Sequence, residues 1–352
     1  MVTPGFAAGE KDTTCIPPLY LYVKELKKQY PDLKISILAI HYPFQKESYS
    51  YYGATVYPLN GRNKNGWLRV FFRPVAFNNF LDKLQNEISF DILHSFWLGE
   101  SSYLAAKYSK RNKIPHLVTL MGQDAVSGSF RSYASFRPEL KPEKIIVLSD
   151  YHNEKFNQTF KLNDAIIIPW GIDELVLSSA EKKIDITGIG NLIDLKDYNR
   201  FIEIIRMLKM NFPRIKVNII GKGQEERKLK EKIISSGLSE NIQITGELPR
   251  AEALQLLQGT KVFLHTSKYE SFGYVLTEAL ACCCHVISTP VGFAYKNPDI
   301  YTFENNEEAV ELCKKLLNSE TSEKRLVPKM KDTVKLYSEI YLQLLSDHMF
   351  CP

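Results

Sequence analysis

The chain has 352 residues, with 45 lysines and arginines against 40 aspartates and glutamates and a net charge of +5. That length exceeds one ordinary core and fits two domains, while the mildly basic balance does not by itself signal a nucleic-acid partner and 44% hydrophobic with 12% aromatic content argues against a disordered chain. No apolar run approaches the roughly 20 residues of a membrane span, and the opening MVTPGFAAGEKDTT lacks a basic segment followed by an apolar one, so no signal peptide is read and a cytoplasmic location is expected.

In chain order, Val2–Phe6 reads as a strand end that runs into a glycine-containing loop at Ala7–Asp12, or as an ordinary turn. Leu19–Lys28 is amphipathic, and Lys34–Ile40 (KISILAI) reads as a strand. Asp91–His94 and its flanks form the next strand, Ser101–Asn112 an amphipathic stretch, and His116–Leu120, Lys144–Leu148 and Ala165–Ile168 further strands. Strands alternating with helical patterns imply right-handed βαβ units and a parallel sheet covered on both faces. Pro169-Trp170-Gly171 punctuates the end of this series.

The same grammar then restarts. Strands are expected at Ile184–Ile189, Lys216–Ile220, Asn241–Thr245, Lys261–His265 and His285–Thr289, with helices at Tyr198–Met210, Glu225–Ser236, Arg250–Leu257 and Tyr274–Ala281. A last helix, Lys329–Leu345, carries Leu336, Ile340 and Leu344 roughly on one face. The expected division is 1–170, 171–328, and a C-terminal helix in 329–352 that returns to the first domain. The fold class is α/β, with two Rossmann-like domains facing across a cleft. Ligands of such sheets sit at the carboxyl ends of the strands, so functional residues belong in the loops after strands in both halves.

Six cysteines include the run Cys282-Cys283-Cys284, which matches no zinc spacing and reads as small buried apolar residues; no metal and no cofactor are expected. The informative loop is Thr266–Gly273. Glu270 lies on it, and Glu278 follows eight residues later inside a helix. A helix start presents free N–H groups and the positive end of a dipole, so the amides of Phe272–Val275 suit a phosphate. Carboxylates accept bonds from sugar hydroxyls. By spacing alone, Glu270 as a helix cap and Glu278 on a solvated face fit as well.

The segment YESFGYVLTEALACCCHVISTPVG, Tyr269–Gly292, resembles the signature of glycosyltransferase family 4, retaining enzymes of the GT-B fold. GIGNLIDLKDY resembles that family's loop for the donor diphosphate, NIIGKGQEERKL its next strand, loop and helix, and ITGELPRAEALQLLQGTKVFLHTSKYE the approach to the signature; IIIPWGID resembles the interdomain connection. The resemblance implies that Glu270 contacts donor-sugar hydroxyls, that Glu278 contacts the ribose, and that Lys196 binds the diphosphate without a metal. Asn191, Gly221, Gly223, Leu248, Ser271, Phe272, Gly273, Tyr274 and Val275 complete the implied donor site. In the first half, DILHSFWLGESS and HLVTLMGQDA resemble the family's strand-and-loop pairs, which makes His94 and Asp124 candidate catalytic residues and Gly122 and Gln123 acceptor-side residues, together with Pro4, Gly5 and Phe6. His94 also reads as a satisfied structural histidine.

Three positions depart from the family pattern. Asn191 stands where an arginine is usual, Met121 where many members have histidine, and Phe293 where a second glycine is usual. Lost with them are a bidentate phosphate grip and a proton-exchanging group. The implied function is retaining transfer from a nucleotide-diphosphate sugar to a glycan or lipid-linked acceptor, with surface polysaccharide synthesis as the expected context; the alternatives are a sugar-nucleotide epimerase of the same fold and a non-catalytic sugar-nucleotide-binding relative. Basic clusters at Lys24, Lys27 and Lys28 and at Lys107, Lys110, Arg111 and Lys113 suit either peripheral contact with an anionic membrane or solvated helix faces.

Overall fold

The computed structural model describes residues 1–61, 67–126, 130–137, 139–175, 181–319 and 325–349. The chain divides into two units, Met1–Gly171 joined by Met330–Pro352, and Ile172–Lys329; the last three residues of the terminal segment lie outside the described residues.

In the first unit, the elements are β1 (Val2–Gly5), α1 (Pro17–Gln29), β2 (Ser36–Tyr42), β3 (Tyr49–Tyr51), β4 (Ala54–Pro58), α2 (Trp67–Glu87), β5 (Leu93–Phe96), α3 (Glu100–Asn112), β6 (His116–Thr119), α4 (Phe130–Ala134), β7 (Lys144–Val147), α5 (Asp150–Phe160) and β8 (Ile166–Ile167). Among the described residues the strands form one sheet in the order β3-β4-β2-β1-β5-β6-β7-β8, parallel except for β3 against β4. The strand order reverses between β2-β1 and β5. Val2, Leu38, Leu93 and Ile40 pack against Phe77, Leu81, Leu104 and Tyr108, while Val118, Val147 and Phe156 form a second apolar cluster.

The hairpin of β3 and β4 has no counterpart in the sequence reading. Its two-residue turn is Tyr52-Gly53, both at positive φ (44° and 81°), which matches the twist of the flanking strands. A tyrosine at the first turn position carries no hairpin signal, so the element is invisible to turn chemistry.

The terminal helix α11 (Met330–Met349) packs on α1 within this unit. Its buried face is set by Val334, Tyr337 and Leu344 and not by Leu336, which is 41% exposed. The aromatic rings decide this. Tyr337 lies 5.0 Å from Tyr22 and 5.9 Å from Trp170 between ring centroids, and Tyr341 bonds the Tyr22 hydroxyl at 2.8 Å. Tyrosine buries a large apolar body provided its hydroxyl finds a partner. Of the basic residues on these helices, Lys110 pairs with Glu143, Arg111 with Asp82, and Lys24 lies over the Tyr52 ring. Among the described residues, no helix is long and apolar enough to cross a membrane.

The second unit runs β9 (Ile184–Ile189), α6 (Tyr198–Lys209), β10 (Val217–Ile220), α7 (Glu226–Ser235), β11 (Ile242–Gly246), α8 (Arg250–Gln258), β12 (Thr260–His265), α9 (Tyr274–Ala281), β13 (His285–Ser288), β14 (Tyr301–Thr302) and α10 (Asn306–Leu317). The described strands are all parallel, in the order β11-β10-β9-β12-β13-β14. Numbered from β9 this is 3-2-1-4-5-6, the doubly wound order, and its reversal lies between β9 and β12. Ile186, Phe201, Ile205, Val217, Leu264 and Leu316 belong to one apolar cluster, and Phe263, Leu276, Leu280 and Val286 to another. The inner strands β12 and β13 are largely buried on both faces, as near-continuous apolar strands require, while the edge strand β14 is exposed.

Candidate functional site

The loops that leave β9 and β12 diverge at the strand-order reversal, where a doubly wound sheet opens a crevice. They are laced together by their own backbone. Thr266 Oγ1 donates to the carbonyls of Lys196 and Asp197, each at 3.0 Å, and Lys268 N donates to Leu195 O at 2.9 Å. This lacing brings Lys196, from a short 3-10 turn after β9, against Glu270, from the loop after β12. Their side chains form an ion pair and are 19% and 13% exposed. His265, the last residue of β12 and buried, places Nε2 3.0 Å from the same Glu270 oxygen, Oε1.

Burial works to raise the Glu270 carboxyl, but the Lys196 charge and the His265 bond and charge outweigh it and hold the group well below the usual carboxylate range. The consequence for stability follows from the sign. A depressed folded-state value makes the contribution complete above the unfolded value, about 4.3, and lost as pH falls through the folded one. The stability difference between wild type and Glu270→Gln, read by urea unfolding, should therefore shrink as pH falls below about 4.3. A constant difference from neutral pH down to strong acid would show that Glu270 is not held by these cations.

Glu278, on α9, is also enclosed. Arg250, the first residue of α8, sends Nε to Glu278 Oε1 at 2.7 Å and NH2 to Asp173 Oδ1 at 2.7 Å. Burial lifts the Glu278 carboxyl above its ordinary value, with the Arg250 charge opposing. Arg250, Asp173 and His265 were not picked out by the sequence reading. Their only signal was position: Arg250 begins α8 and His265 ends β12, bordering the loops already singled out, and Asp173 ends the connecting segment IIIPWGID.

The remaining expected donor residues of this unit have definite places. Asn191 is exposed on the β9 loop, Leu248 is partly buried after β11, and Ser271, Phe272 and Gly273 are buried ahead of α9, whose first residues are the partly buried Tyr274 and Val275. Gly221 touches the β9 loop so closely that a Cβ there would lie 1.9 Å from Gly190 O, and Gly223 is similarly close to the Leu192 carbonyl. Gly292 has φ +55°, and a Cβ would lie 2.6 Å from Phe272 O and 2.8 Å from Glu270 Cβ. Glycine here lets the loop after β13 press against the Glu270 backbone. Phe293 donates its N–H to Phe272 O and packs its ring 5.1 Å from that of Phe272.

In the first unit, His94 is buried with both ring nitrogens engaged, Nδ1 with Tyr341 OH at 2.7 Å and Nε2 with Thr119 Oγ1 at 2.8 Å. Burial pushes it well below its ordinary value. Asp124 is buried and accepts N–H bonds from Leu98 at 2.8 Å, Gly122 at 2.6 Å and Met121 at 3.2 Å. Burial raises its carboxyl and those backbone bonds oppose the rise. Gly122 is partly buried and Gln123 exposed on this loop; Pro4 and Gly5 end β1 and Phe6 follows it, with Gly5 and Phe6 buried.

Residues 175–333 match the family model described as glycosyl transferases group 1. An uncharacterized glycosyltransferase of Methanocaldococcus jannaschii is 26% identical over 205 residues, 57% of this chain and 56% of that protein. The GPI3 subunit of phosphatidylinositol N-acetylglucosaminyltransferase from Saccharomyces cerevisiae is 26% identical over 167 residues, 47% of this chain and 35% of that protein. The chain thus spans about half or less of the length of these curated relatives. Among solved structures, a glycosyltransferase from Rickettsia africae aligns at TM-score 0.72 with 16% identity, covering 98% of each chain. Anabaena HepE in complex with UDP and glucose aligns at TM-score 0.65 with 15% identity, covering 99% of this chain and 98% of that one. At these identities the structures show the fold, which is GT-B. The family match falls mainly on the second unit, which is thus similar to glycosyl transferases group 1.

Proposed function

We propose that this chain is a retaining glycosyltransferase of family 4 that moves a sugar from a nucleotide-diphosphate sugar to a glycan or lipid-linked acceptor, in surface polysaccharide synthesis. The observation that carries the reading is the Lys196–Glu270 pair at the reversal between β9 and β12, with Glu278 enclosed eight residues further along. A cation for a leaving diphosphate and a carboxylate for hydroxyl groups meet where a doubly wound sheet binds nucleotides, and a second carboxylate stands on the helix that follows.

In this reading Lys196 and the amides of Phe272–Val275 receive the diphosphate, Glu270 the sugar hydroxyls and Glu278 the ribose. Asn191 supplies one donor where the usual arginine would supply a charge. No metal or cofactor is required, because lysine and backbone dipoles can neutralise the leaving group. The bond from the sugar C1 to the diphosphate oxygen breaks, the acceptor oxygen bonds C1 on the same face, and the acceptor proton passes to the departing diphosphate oxygen. That route asks for no protein base and so tolerates Met121. Pro4, Gly5, Phe6, Gly122 and Gln123 fall to the acceptor side, and the three N–H bonds to Asp124 support its holding the loop that carries Gly122. With a lipid-linked acceptor, the enzyme would work at the cytoplasmic face of a membrane.

A thermal-shift panel tests the reading: UDP-, GDP- and ADP-sugars beside the free diphosphates. A donor at 100 times its dissociation constant should add about 2.7 kcal/mol of stability. If no nucleotide sugar shifts the melting temperature, the donor site does not exist. If one shifts it but no labelled sugar reaches any acceptor or water, the chain binds donors without using them.

A further inference from the structure

The group behind Glu270 is unexpected in such a site. His265 is buried at 4% exposure and reaches three side-chain oxygens through its two ring nitrogens. Its Nδ1 lies 3.0 Å from Ser288 Oγ, because His265 and Ser288 are register partners on β12 and β13. Its Nε2 lies 3.0 Å from Glu270 Oε1 and 3.0 Å from Ser267 Oγ.

The Lys196 charge keeps Glu270 a carboxylate, whose oxygens have only lone pairs to offer, so the contact between Nε2 and Oε1 is a hydrogen bond only with a proton on Nε2, which donates it to Glu270. Ser288 Oγ, which also reaches the Thr289 carbonyl at 2.8 Å, ties Nδ1 to β13.

We propose that His265, with its Nε2 protonated, is the positioning residue of the donor site: it pins Glu270 Oε1 so that Oε2 presents to the transferred sugar. The proposal rests on the donor-site reading above. Lys196 and His265 share Oε1, and neither touches Oε2. When a diphosphate arrives, the Lys196 ammonium moves to it, and Glu270 loses one of its two fixed partners. His265 is anchored through Ser288 to the sheet, so it remains and keeps the carboxylate from swinging. A carboxylate held on one oxygen orients the other for hydroxyl groups at no cost of side-chain ordering on binding.

Two measurements test this. The first is the long-range 1H–15N spectrum of histidine-labelled protein, which reads both ring nitrogens directly. One histidine, identified by its absence in His265→Gln, should carry a proton at Nε2 in the wild type and lose its Nε2–H signal or shift it strongly in Glu270→Gln. A bare Nε2 on that ring overturns the proposal whatever the site binds. The second compares His265→Leu with His265→Gln by calorimetry, using UDP and GDP against UDP-glucose, UDP-N-acetylglucosamine and GDP-mannose. His265→Leu should leave the affinity for the free diphosphate within about twofold and cut the extra affinity conferred by the sugar about tenfold, the scale of one lost hydrogen bond. His265→Gln, whose amide can still donate to Glu270, should restore most of it. If Leu and Gln weaken free diphosphates and nucleotide sugars alike, His265 is only structural. If the wild type binds none of the five probes, the donor-site reading fails, and the spectrum still decides whether His265 holds Glu270.

Discussion

Replacing Glu270 by glutamine is expected to lower kcat by roughly 10²–10³, the scale of removing one electrostatic stabiliser from a transition state. Glutamine keeps the shape and removes the charge. As the bond from the sugar to the diphosphate breaks, the sugar gains oxocarbenium-like character, and a carboxylate bonded to its hydroxyls becomes more favourable as that charge grows. The same change releases Lys196 from its ion pair. Free UDP or GDP should then bind at least as tightly as to the wild type, so the loss should fall on kcat and not on diphosphate affinity. The comparison variants are His94→Ala and Asp124→Asn. His94 spends both nitrogens on Tyr341 and Thr119, and Asp124 spends its oxygens on backbone amides. Their loss should act through stability, visible as a lowered melting temperature. If Glu270→Gln turns over like the wild type while folded His94→Ala is inactive, the chemistry is centred in the first unit.

The second unit was legible because its signals are local. Ile184–Ile189 and Tyr274–Ala281 fall at the residues expected, since a β-branched run and an apolar helical stretch each declare themselves within a few residues. The Glu270–Glu278 spacing was visible for the same reason, whereas Lys196 came from the resemblance of its loop to the family's. The partners that shape those side chains were not. His265 meets Ser288 only through the register of β12 on β13, and Arg250 meets Glu278 across 28 residues of chain through the placement of α8 and α9. Helix α10 is a different case. Asn305 caps it by accepting from Glu308 N at 2.9 Å, and Asn305-x-x-Glu308 is a capping signal that stood in the sequence unread. In the first unit, His94 finds its partners 25 and 247 residues away, so no local pattern separates a structural from a reactive histidine there.

Arg250→Met should cost the second unit about 3–5 kcal/mol, the penalty of leaving a buried charge without its partner. An exposed pair would be worth only about 0–1 kcal/mol. What decides between these scales is enclosure: the Arg250 and Glu278 side chains are 13% and 12% exposed, whereas Asp173 is 42% exposed and can turn to water when the guanidinium goes. Glu278 has no such exit. Burial already lifts its carboxyl above the ordinary range against the opposing charge of Arg250, so removing that charge lifts it further. A carboxyl raised in the folded state disfavours folding only where the unfolded chain is ionised. The penalty should therefore be smaller near pH 4 than at pH 7, the same direction as the Glu270→Gln difference although the two carboxyls are shifted oppositely. Denaturant midpoints at the two pH values measure it. The double variant Arg250→Met, Glu278→Leu should recover much of the loss, because no unpaired charge remains inside. A single-variant loss below about 1 kcal/mol at neutral pH would place the pair on the exposed scale, and an unrecovered double variant would mean that Arg250 acts by packing and not by charge.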